Sequence, residues 1–196
     1  MKLIFATNNQ HKVEEINALL PADIKAISLK QAGIDIDIPE PHPTLQDNAA
    51  EKARTIYQLT HTNCFSEDTG LEVAALNGEP GVLSARYAGE EKLFHKNIQK
   101  LLHNLEGKDN RKAQFRTVIC LIFDSKEYYF EGVCTGRITT QPIGTEGFGY
   151  DPVFIPDGAG KTFAQMSLAE KNQYSHRRKA TDKLVTFLNQ LVVNAK

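Results

Sequence analysis

The sequence predicts an α/β fold, and three observations support that prediction. The apolar stretch Lys2 to Ala6 is followed at once by a polar loop and then by apolar residues at helical spacing, the pattern of a strand, a turn and a helix. Runs rich in β-branched and aromatic residues fill much of the segment 113–140, as consecutive strands do. Amphipathic helical patterns precede and follow these runs, so that both element types must share one core.

Length and composition favour a folded globular protein that does not bind polymeric nucleic acid. A chain of 196 residues can bury a sizeable core, and we expect a single domain over residues 1–196, built as two lobes. With 41% hydrophobic and 24% charged residues, the chain resembles neither a disordered nor a fibrous protein. The formal net charge is -1 and the pI is about 6.6. This balance argues against binding to polymeric nucleic acid, which requires a surplus of basic residues.

The cysteines and the apolar segments indicate a cytoplasmic protein. The three cysteines, Cys64, Cys120 and Cys134, cannot all pair within the chain, and no two of them have the spacing of a zinc or redox motif. The apolar start is too short for a signal peptide, and no later stretch is long enough to span a bilayer. We therefore expect no membrane association.

The elements follow in order from the first strand. The loop after it covers Thr7 to Lys12, and the first helix begins near Val13 and ends before Pro21, which cannot continue it. A second helix begins at Thr44, where Thr44 and Asp47 have the spacing of a capping box, and it should end near Leu59.

The middle of the chain predicts one more strand, a helix and an antiparallel sheet. The strand that begins at Cys64 should end at Asp68, in a tight turn formed by Thr69 and Gly70. A helix should cover Lys92 to Leu105. Two or three consecutive antiparallel strands should then follow, in the runs Phe115 to Phe123, Glu127 to Cys134 and Arg137 to Thr140.

The last third of the chain begins with a glycine- and aromatic-rich segment, Gly144 to Pro156. Ser167 and Glu170 then have capping-box spacing and predict a short helix that carries Lys171. The terminal helix presents an apolar face from Ala180 to Leu191.

The first candidate for chemistry is the loop Thr7-Asn8-Asn9-Gln10-His11-Lys12. It places hydroxyl, amide and ammonium donors where a helix begins, and such donors together with the helix dipole favour phosphate. It is not a P-loop, because it lacks the glycines of that motif. The alternative is a polar turn that binds nothing, with Lys12 in solvent.

The second candidate is the acidic pair Glu67-Asp68. Acids at the carboxyl end of a strand project into the crevice in which α/β folds bind ligands. Their hard oxygens suit Mg²⁺, which needs only one or two carboxylates beside water and phosphate. The alternative is a solvated acidic turn.

Two further segments could contact a nucleotide. Phe148-Gly149-Tyr150-Asp151 places aromatic rings beside a glycine that permits close approach, and such rings stack on bases. Lys171, His176 and Arg177 are donors that could bind phosphate or the edge of a base. The alternatives are core aromatic residues and a basic surface.

Together these segments resemble the inosine triphosphatase family of nucleotide pyrophosphatases. The resemblance extends in family order from residue 7 to residue 177, and five motifs in order are far more specific than any one of them. The motifs are Thr7-Asn8-Asn9-Gln10-His11-Lys12, Ser66-Glu67-Asp68-Thr69-Gly70-Leu71, Pro80-Gly81-Val82-Leu83-Ser84-Ala85-Arg86-Tyr87, Gly147-Phe148-Gly149-Tyr150-Asp151-Pro152 and Ser175-His176-Arg177.

The resemblance implies a fold and an activity. The fold is an elongated, two-lobed α/β structure with a long mixed central sheet flanked by helices, a nucleotide cleft between the lobes, and a homodimeric assembly. The activity is Mg²⁺-dependent hydrolysis of deaminated purine nucleoside triphosphates (ITP, dITP and XTP) to the monophosphate and pyrophosphate, which protects DNA and RNA.

The resemblance also implies a role for each matching residue. Asp68 is the catalytic acid at the metal and the attacking water, and Glu40 is the second metal ligand. The prolines around Glu40 and the presence of Asp47 where the family generally has glutamate depart from the family pattern. The implied substrate-binding residues are Thr7, Asn8, Asn9, Gln10, His11 and Lys12 at the triphosphate, Thr69 beside the nucleotide, Phe148, Gly149, Tyr150 and Asp151 at the base and ribose, Lys171 as a further lysine, and His176 and Arg177 at the purine edge.

Two alternatives from other functional classes remain open. A non-catalytic nucleotide sensor would bind a purine nucleotide and change its oligomeric state, although paired acids near phosphates are unfavourable without a metal. A protein-interaction domain would use the aromatic segment around Phe148 and the basic segment at Arg177 and Arg178 as a binding patch.

Overall fold

The computed structural model describes residues 1–194, with side chains up to residue 191. The strands are β1 (Lys2–Phe5), β2 (Lys25–Ile27), β3 (Cys64–Val73), β4 (Pro80–Gly81), β5 (Lys112–Phe123), β6 (Lys126–Ile138) and β7 (Phe154–Pro156). The α-helices are α1 (Gln10–Asn17), α2 (Leu45–Thr60), α3 (Phe94–Asn104), α4 (Leu168–Lys171) and α5 (His176–Asn194).

The chain divides into two compact units. Unit 1 consists of Met1–Asp68, Thr117–Gly132 and the segment from Arg177 onward, and unit 2 consists of Thr69–Arg116 and Val133–His176. Strands β3, β5 and β6 contribute residues to both units.

Unit 1 is a sheet with helices on both faces. Its strand order is β2-β1-β3-β5-β6, and β1 runs parallel to both β2 and β3. Alternate residues point to opposite faces of a strand, so Leu3 and Phe5 pack in one core cluster with Leu184 of α5. Cys64 packs in the other cluster, together with the residues of α2. Helices α1 and α5 therefore cover one face of this sheet, and α2 covers the other.

Unit 2 has a more antiparallel sheet. Strand β4 pairs antiparallel with β3, and β7 pairs antiparallel with β6. The buried face carries Leu71, Val73 and Phe115, which pack with Phe154 and Phe163. The parallel pairs of unit 1 and the antiparallel pairs of unit 2 confirm the predicted mixed sheet flanked by helices.

Most of the predicted elements form where the local signals place them. The N-cap of α2 is Thr44, whose side chain accepts a hydrogen bond from the backbone N–H of Asp47 at 3.1 Å. Ser167 caps α4 through a complete capping box with Glu170. Strands β5 and β6 are joined by Asp124 and Ser125, which have φ of 48° and 64°, values typical of a tight hairpin turn.

One strand prediction was wrong, and the choice between two and three antiparallel strands is settled as two; a glycine explains each result. Strand β3 does not end at Asp68 but continues through Gly70 to Val73, because the glycine serves close packing instead of a turn. A Cβ on Gly70 would lie 2.7 Å from the carbonyl oxygen of Gly81 in the adjacent β4. The run from Arg137 to Thr140 is not a separate strand. Its first two residues, Arg137 and Ile138, end β6, in which Gly136 permits close approach of β7.

Strands β2 and β7 were not predicted from the sequence. Each has three residues, too few to show an alternating pattern. The terminal helix begins at His176, earlier than its apolar face suggested. Within residues 1–194, no helix is both long enough and apolar enough to cross a bilayer.

Candidate active site

The polar loop after β1 is stabilised by hydrogen bonds from backbone N–H groups to its own side chains. Asn9 is the N-cap of α1, and its side-chain oxygen accepts a hydrogen bond from the N–H of Lys12 at 3.3 Å. Thr7 accepts from the N–H of Asn9 at 3.1 Å, and Asn8 accepts from the N–H of Lys30 at 3.0 Å. Gln10 and His11 are exposed in the first turn of the helix. The side chains of Thr7, Asn8 and Asn9 therefore shape the turn that presents the amino end of α1.

A buried ion network holds Lys12. Its ammonium lies 3.1 Å from a carboxylate oxygen of Glu67. The Arg177 guanidinium donates two hydrogen bonds to the same carboxylate, at 2.8 and 2.7 Å, and a third, short one to Glu15. Arg177 is 2% exposed, Glu67 2% and Glu15 6%. Because each charge contacts an opposite charge, the network can be buried without an isolated ion.

The charges of this network set its pKa values. Burial opposes the ionised form of Glu67, but the charges of Arg177 and Lys12 outweigh burial and hold the pKa of that carboxyl well below its usual value. Burial likewise opposes the charged form of Arg177, yet Glu67 and Glu15 raise its pKa. Glu67 and Arg177 are therefore both ionised at neutral pH.

A second cluster brings together the two predicted metal-binding acids. The ammonium of Lys52 makes a short hydrogen bond to Glu40 and lies 3.6 Å from a carboxylate oxygen of Asp68. Asp68 is 6% exposed and Lys52 7%. Burial and the neighbouring carboxylate of Glu40 raise the pKa of Asp68, although Lys52 opposes that shift. At Lys52 burial opposes the charged form, but the charges of Asp68 and Glu40 have the larger effect and raise its pKa.

The donor set of this cluster fits a magnesium ion. Asp68 and Glu40 supply hard carboxylate oxygens around one shared cation. Mg²⁺ binds one or two carboxylates and completes its shell with water and phosphate oxygens. Among residues 1–194 no group of three or more His, Cys, Asp or Glu could hold a metal by itself. The residues therefore suit a metal that is completed by substrate, and not a metal enclosed by protein.

The predicted base-binding segment lies in unit 2. Gly147 and Gly149, with φ of 74° and 62°, flank Phe148 in a turn that only glycine adopts easily. The N–H of Phe148 donates to a carboxylate oxygen of Asp151 at 3.1 Å. The same oxygen accepts a hydrogen bond from the buried ammonium of Lys171 at 2.7 Å. This ammonium also lies 5.2 Å from the centre of the Phe148 ring. Asp151 thus fixes the positions of the Phe148 backbone and the Lys171 ammonium.

The other predicted residues of unit 2 are in more structural surroundings. Tyr150 is 5% exposed and donates a hydrogen bond to the backbone oxygen of Ser84 at 2.7 Å. His176 is 3% exposed and stacks on Phe115, with ring centres 4.7 Å apart. Thr69 is half-buried in β3, directly after Asp68.

The structure adds two residues that the sequence analysis missed. Lys52 lies on the buried face of α2, one turn from Ala49 and Ile56, and Glu15 is buried on α1 beside Ile16. A charged residue at an apolar position of a helix is the signal that could have revealed them, because such a residue needs a charged partner in the core.

A cavity of about 470 Å³ lies elsewhere in unit 2. Its lining includes Glu72, Lys112, Gln114, Thr135 and Asp157. None of the residues that line it belongs to the predicted site. The charge clusters, and not this cavity, therefore mark the candidate active site.

Comparison with known proteins identifies the family. The model of the Ham1 family matches residues 3–187. The chain belongs to the Ham1 family. A Ham1 relative from Flavobacterium psychrophilum, named dITP/XTP pyrophosphatase, is 51% identical over 187 residues, which are 95% of this chain and 98% of the relative. The resemblance to nucleotide pyrophosphatases that the motifs indicated is thereby confirmed.

Solved structures of Ham1 proteins share the fold. The Ham1 protein of Staphylococcus aureus superimposes with a TM-score of 0.87 at 39% identity, over 97% of this chain and 99% of that one. A nucleoside-triphosphatase / dITP/XTP pyrophosphatase from Mycobacterium abscessus superimposes with a TM-score of 0.76 at 36% identity, over 94% of this chain and 99% of that one.

Proposed function

We propose that this protein hydrolyses deaminated purine nucleoside triphosphates (ITP, dITP and XTP) to the monophosphate and pyrophosphate, in a reaction that requires Mg²⁺. The observation that carries the proposal is the shared position of Lys52 between Asp68 and Glu40 in unit 1. The buried Asp68 and Lys52, together with the partly buried Glu40, combine metal ligands, a base and a phosphate-binding cation. The family membership and the printed names of the relatives support the same activity.

The triphosphate is bound by cationic groups and backbone amides. Lys12 and Lys52 supply ammonium groups, and the turn at Thr7 to Asn9 presents the amino end of α1. Phosphates are favoured there because the helix dipole and the N–H groups attract negative charge. Asp68 and Glu40 would hold the metal, which supplies positive charge to the phosphate oxygens when it is bound.

Asp68 is the proposed base. A water oxygen attacks the α-phosphorus as Asp68 accepts a proton from that water, and the bond from the α-phosphorus to the bridging oxygen breaks. Pyrophosphate leaves, and the monophosphate remains. General-base catalysis of this kind commonly contributes about a hundredfold to ten-thousandfold.

Base selection rests on fixed donors. Hypoxanthine and xanthine present an oxygen acceptor at C6, where adenine presents an amino donor. Glu67 and Glu15 hold Arg177 as a permanently charged group that only donates. We propose that the His176-Arg177 pair reads the purine edge and that Phe148 stacks on the base. An adenine would leave unsatisfied donors at a cost of about 1–3 kcal/mol for each group.

The test measures pyrophosphate release from ITP, dITP, XTP, ATP and GTP, with Mg²⁺ and with a chelator. The variant is Asp68→Asn, and the matched control is Asp35→Asn, the same change at an exposed aspartate of unit 1. We expect Mg²⁺-dependent release from the deaminated substrates, a loss of at least about a hundredfold in kcat for Asp68→Asn, and wild-type rates for the control.

Other outcomes would reject parts of the proposal. Wild-type turnover by Asp68→Asn would reject its role as the base. Nucleotide binding without pyrophosphate release would support a sensor instead. Equal release from ATP would refute the account of base selection, and full activity in chelator would refute the role of the metal.

The assembly and location follow the same family expectation. We propose a cytoplasmic homodimer with purine nucleoside triphosphates as its small-molecule partners. Light scattering with size-exclusion chromatography tests the assembly, and a mass close to the 21.9 kDa of one chain would reject it.

A further inference from the structure

The apolar face of helix α3 includes residues in the core of unit 2 and one further residue that is exposed. Ile98, Leu101 and Leu105 on this stripe are 7%, 0% and 1% exposed. Phe94 has the same helical phase, four residues before Ile98, yet it is 43% exposed. A residue in this phase faces the same side as the core residues of its helix. Phe94 therefore lies on the same side of α3 as the core residues, although its side chain is partly exposed.

Phe148 is the aromatic partner of Phe94. Their ring centres are 6.2 Å apart and the planes are inclined by 47°, a separation and tilt at which aromatic rings attract each other. The ammonium of Lys171 is a second neighbour of the same Phe148 ring. Two side chains thus contact the ring that the proposed function assigns to the purine base.

Because the backbone around Phe148 does not fix its side chain, the contacts with Phe94 and Lys171 determine how the ring is oriented. Gly147 and Gly149 flank it, and glycines leave a turn with more freedom than other residues do. The N–H of Phe148 donates to the Asp151 carboxylate, and its carbonyl accepts from the Asp151 N–H at 3.2 Å. These bonds fix the main chain but not the side-chain torsions. The orientation of the ring is then set by its side-chain neighbours.

We propose that Phe94 is a positioning residue for base recognition, which holds the Phe148 ring in the orientation that stacks on the purine. This inference rests on the proposed function. A ring that is already oriented loses less freedom when the base binds. Phe94 therefore acts on substrate binding, while the phosphate chemistry assigned to Lys12 and Asp68 proceeds unchanged.

The experiment compares steady-state kinetics of Phe94→Ala, Phe94→Tyr and the wild type on dITP and XTP. Leu93→Ala is the matched control, because Leu93 is 39% exposed and directly precedes Phe94. For Phe94→Ala we expect KM to rise about threefold to tenfold, the range that the energy of an aromatic pair implies, with kcat within about twofold. Phe94→Tyr keeps the ring and should restore KM, and Leu93→Ala should leave it unchanged.

A double variant separates positioning from direct contact. If Phe94 acts through Phe148, then Phe94→Ala adds nothing to the KM of Phe148→Ala. Additive effects, an unchanged KM in Phe94→Ala, or a fall in kcat alone would overturn the proposal.

A binding measurement keeps this inference distinct from the proposed activity. Calorimetric titration with inosine 5′-monophosphate, the expected product, reports base binding whether or not turnover occurs. Weaker binding by Phe94→Ala than by the wild type supports the positioning role even if no pyrophosphate is released. Equal binding overturns that role while leaving the activity intact. No binding by the wild type also overturns the positioning role, whereas the activity is decided by pyrophosphate release alone.

Discussion

Replacement of Glu15 by glutamine tests the buried network around Arg177. The guanidinium makes three hydrogen bonds to carboxylates, two to Glu67 and one to Glu15. Glutamine keeps an acceptor oxygen at the position of Glu15 but removes its charge. A hydrogen bond to a charged group contributes about 1.5–3 kcal/mol, so we expect Glu15→Gln to lower the free energy of unfolding by about 2 kcal/mol.

The corresponding loss in thermal stability is measurable. For a chain of this size, 1 kcal/mol corresponds to about 2–4 °C in the unfolding midpoint, so Glu15→Gln should unfold about 4–8 °C below the wild type in scanning calorimetry. Glu67→Gln should lose more, because Glu67 accepts two bonds from Arg177 and also pairs with Lys12.

The control for this experiment is Glu14→Gln. Glu14 lies next to Glu15 on α1 but is exposed, and its partner is the exposed side chain of Gln10 at 3.2 Å. This change should cost less than about 0.5 kcal/mol. If Glu15→Gln matched Glu14→Gln in stability, the network would not stabilise the fold and the reasoning would be refuted.

Three further predictions concern other positions. Gly136→Ala should cost about 1–3 kcal/mol, since a Cβ there would overlap the backbone of β7, whereas Gly160→Ala has open space and should be neutral; equal urea midpoints would contradict this. Lys52→Gln removes the cation shared by Asp68 and Glu40, so the free energy of unfolding should fall by about 3 kcal/mol in chelator and recover partly with Mg²⁺; the same free energy of unfolding as the wild type in chelator would contradict the shared-cation role. The thiols of Cys64 and Cys120 are fully buried, and burial raises the pKa of each to about 12. Neither should react with a thiol reagent at pH 8 until the protein is denatured, and rapid labelling of the native protein would show that the region opens.

Local signals predicted most of the helices and the longer strands. The capping pairs at Thr44 and Ser167 determine where helices begin, because they satisfy backbone N–H groups within four residues of chain. The strand error at Gly70 and the open choice at Gly136 arose where glycine accommodates a neighbouring strand. That neighbour is distant in sequence, so a pattern of adjacent residues cannot indicate it.

The same limit applies to the candidate site. The motif that contains Asp68 is readable from sequence because its residues are adjacent. The contacts of Lys52 with Glu40, and of Arg177 with Glu15, join residues 12 and 162 positions apart. Periodicity indicates that Lys52 and Glu15 are buried, but only the tertiary structure shows which charge each one contacts.

The packing of α5 against β1 affects the order in which the protein can fold during synthesis. Leu3 and Phe5 share a core cluster with Leu184 and Leu188, so β1 is covered by a helix that is synthesised after all the other elements described above. Strand β1 must therefore remain incompletely buried until α5 has been made. This delay favours chaperone binding to the early apolar segment, because exposed apolar strands are prone to aggregate.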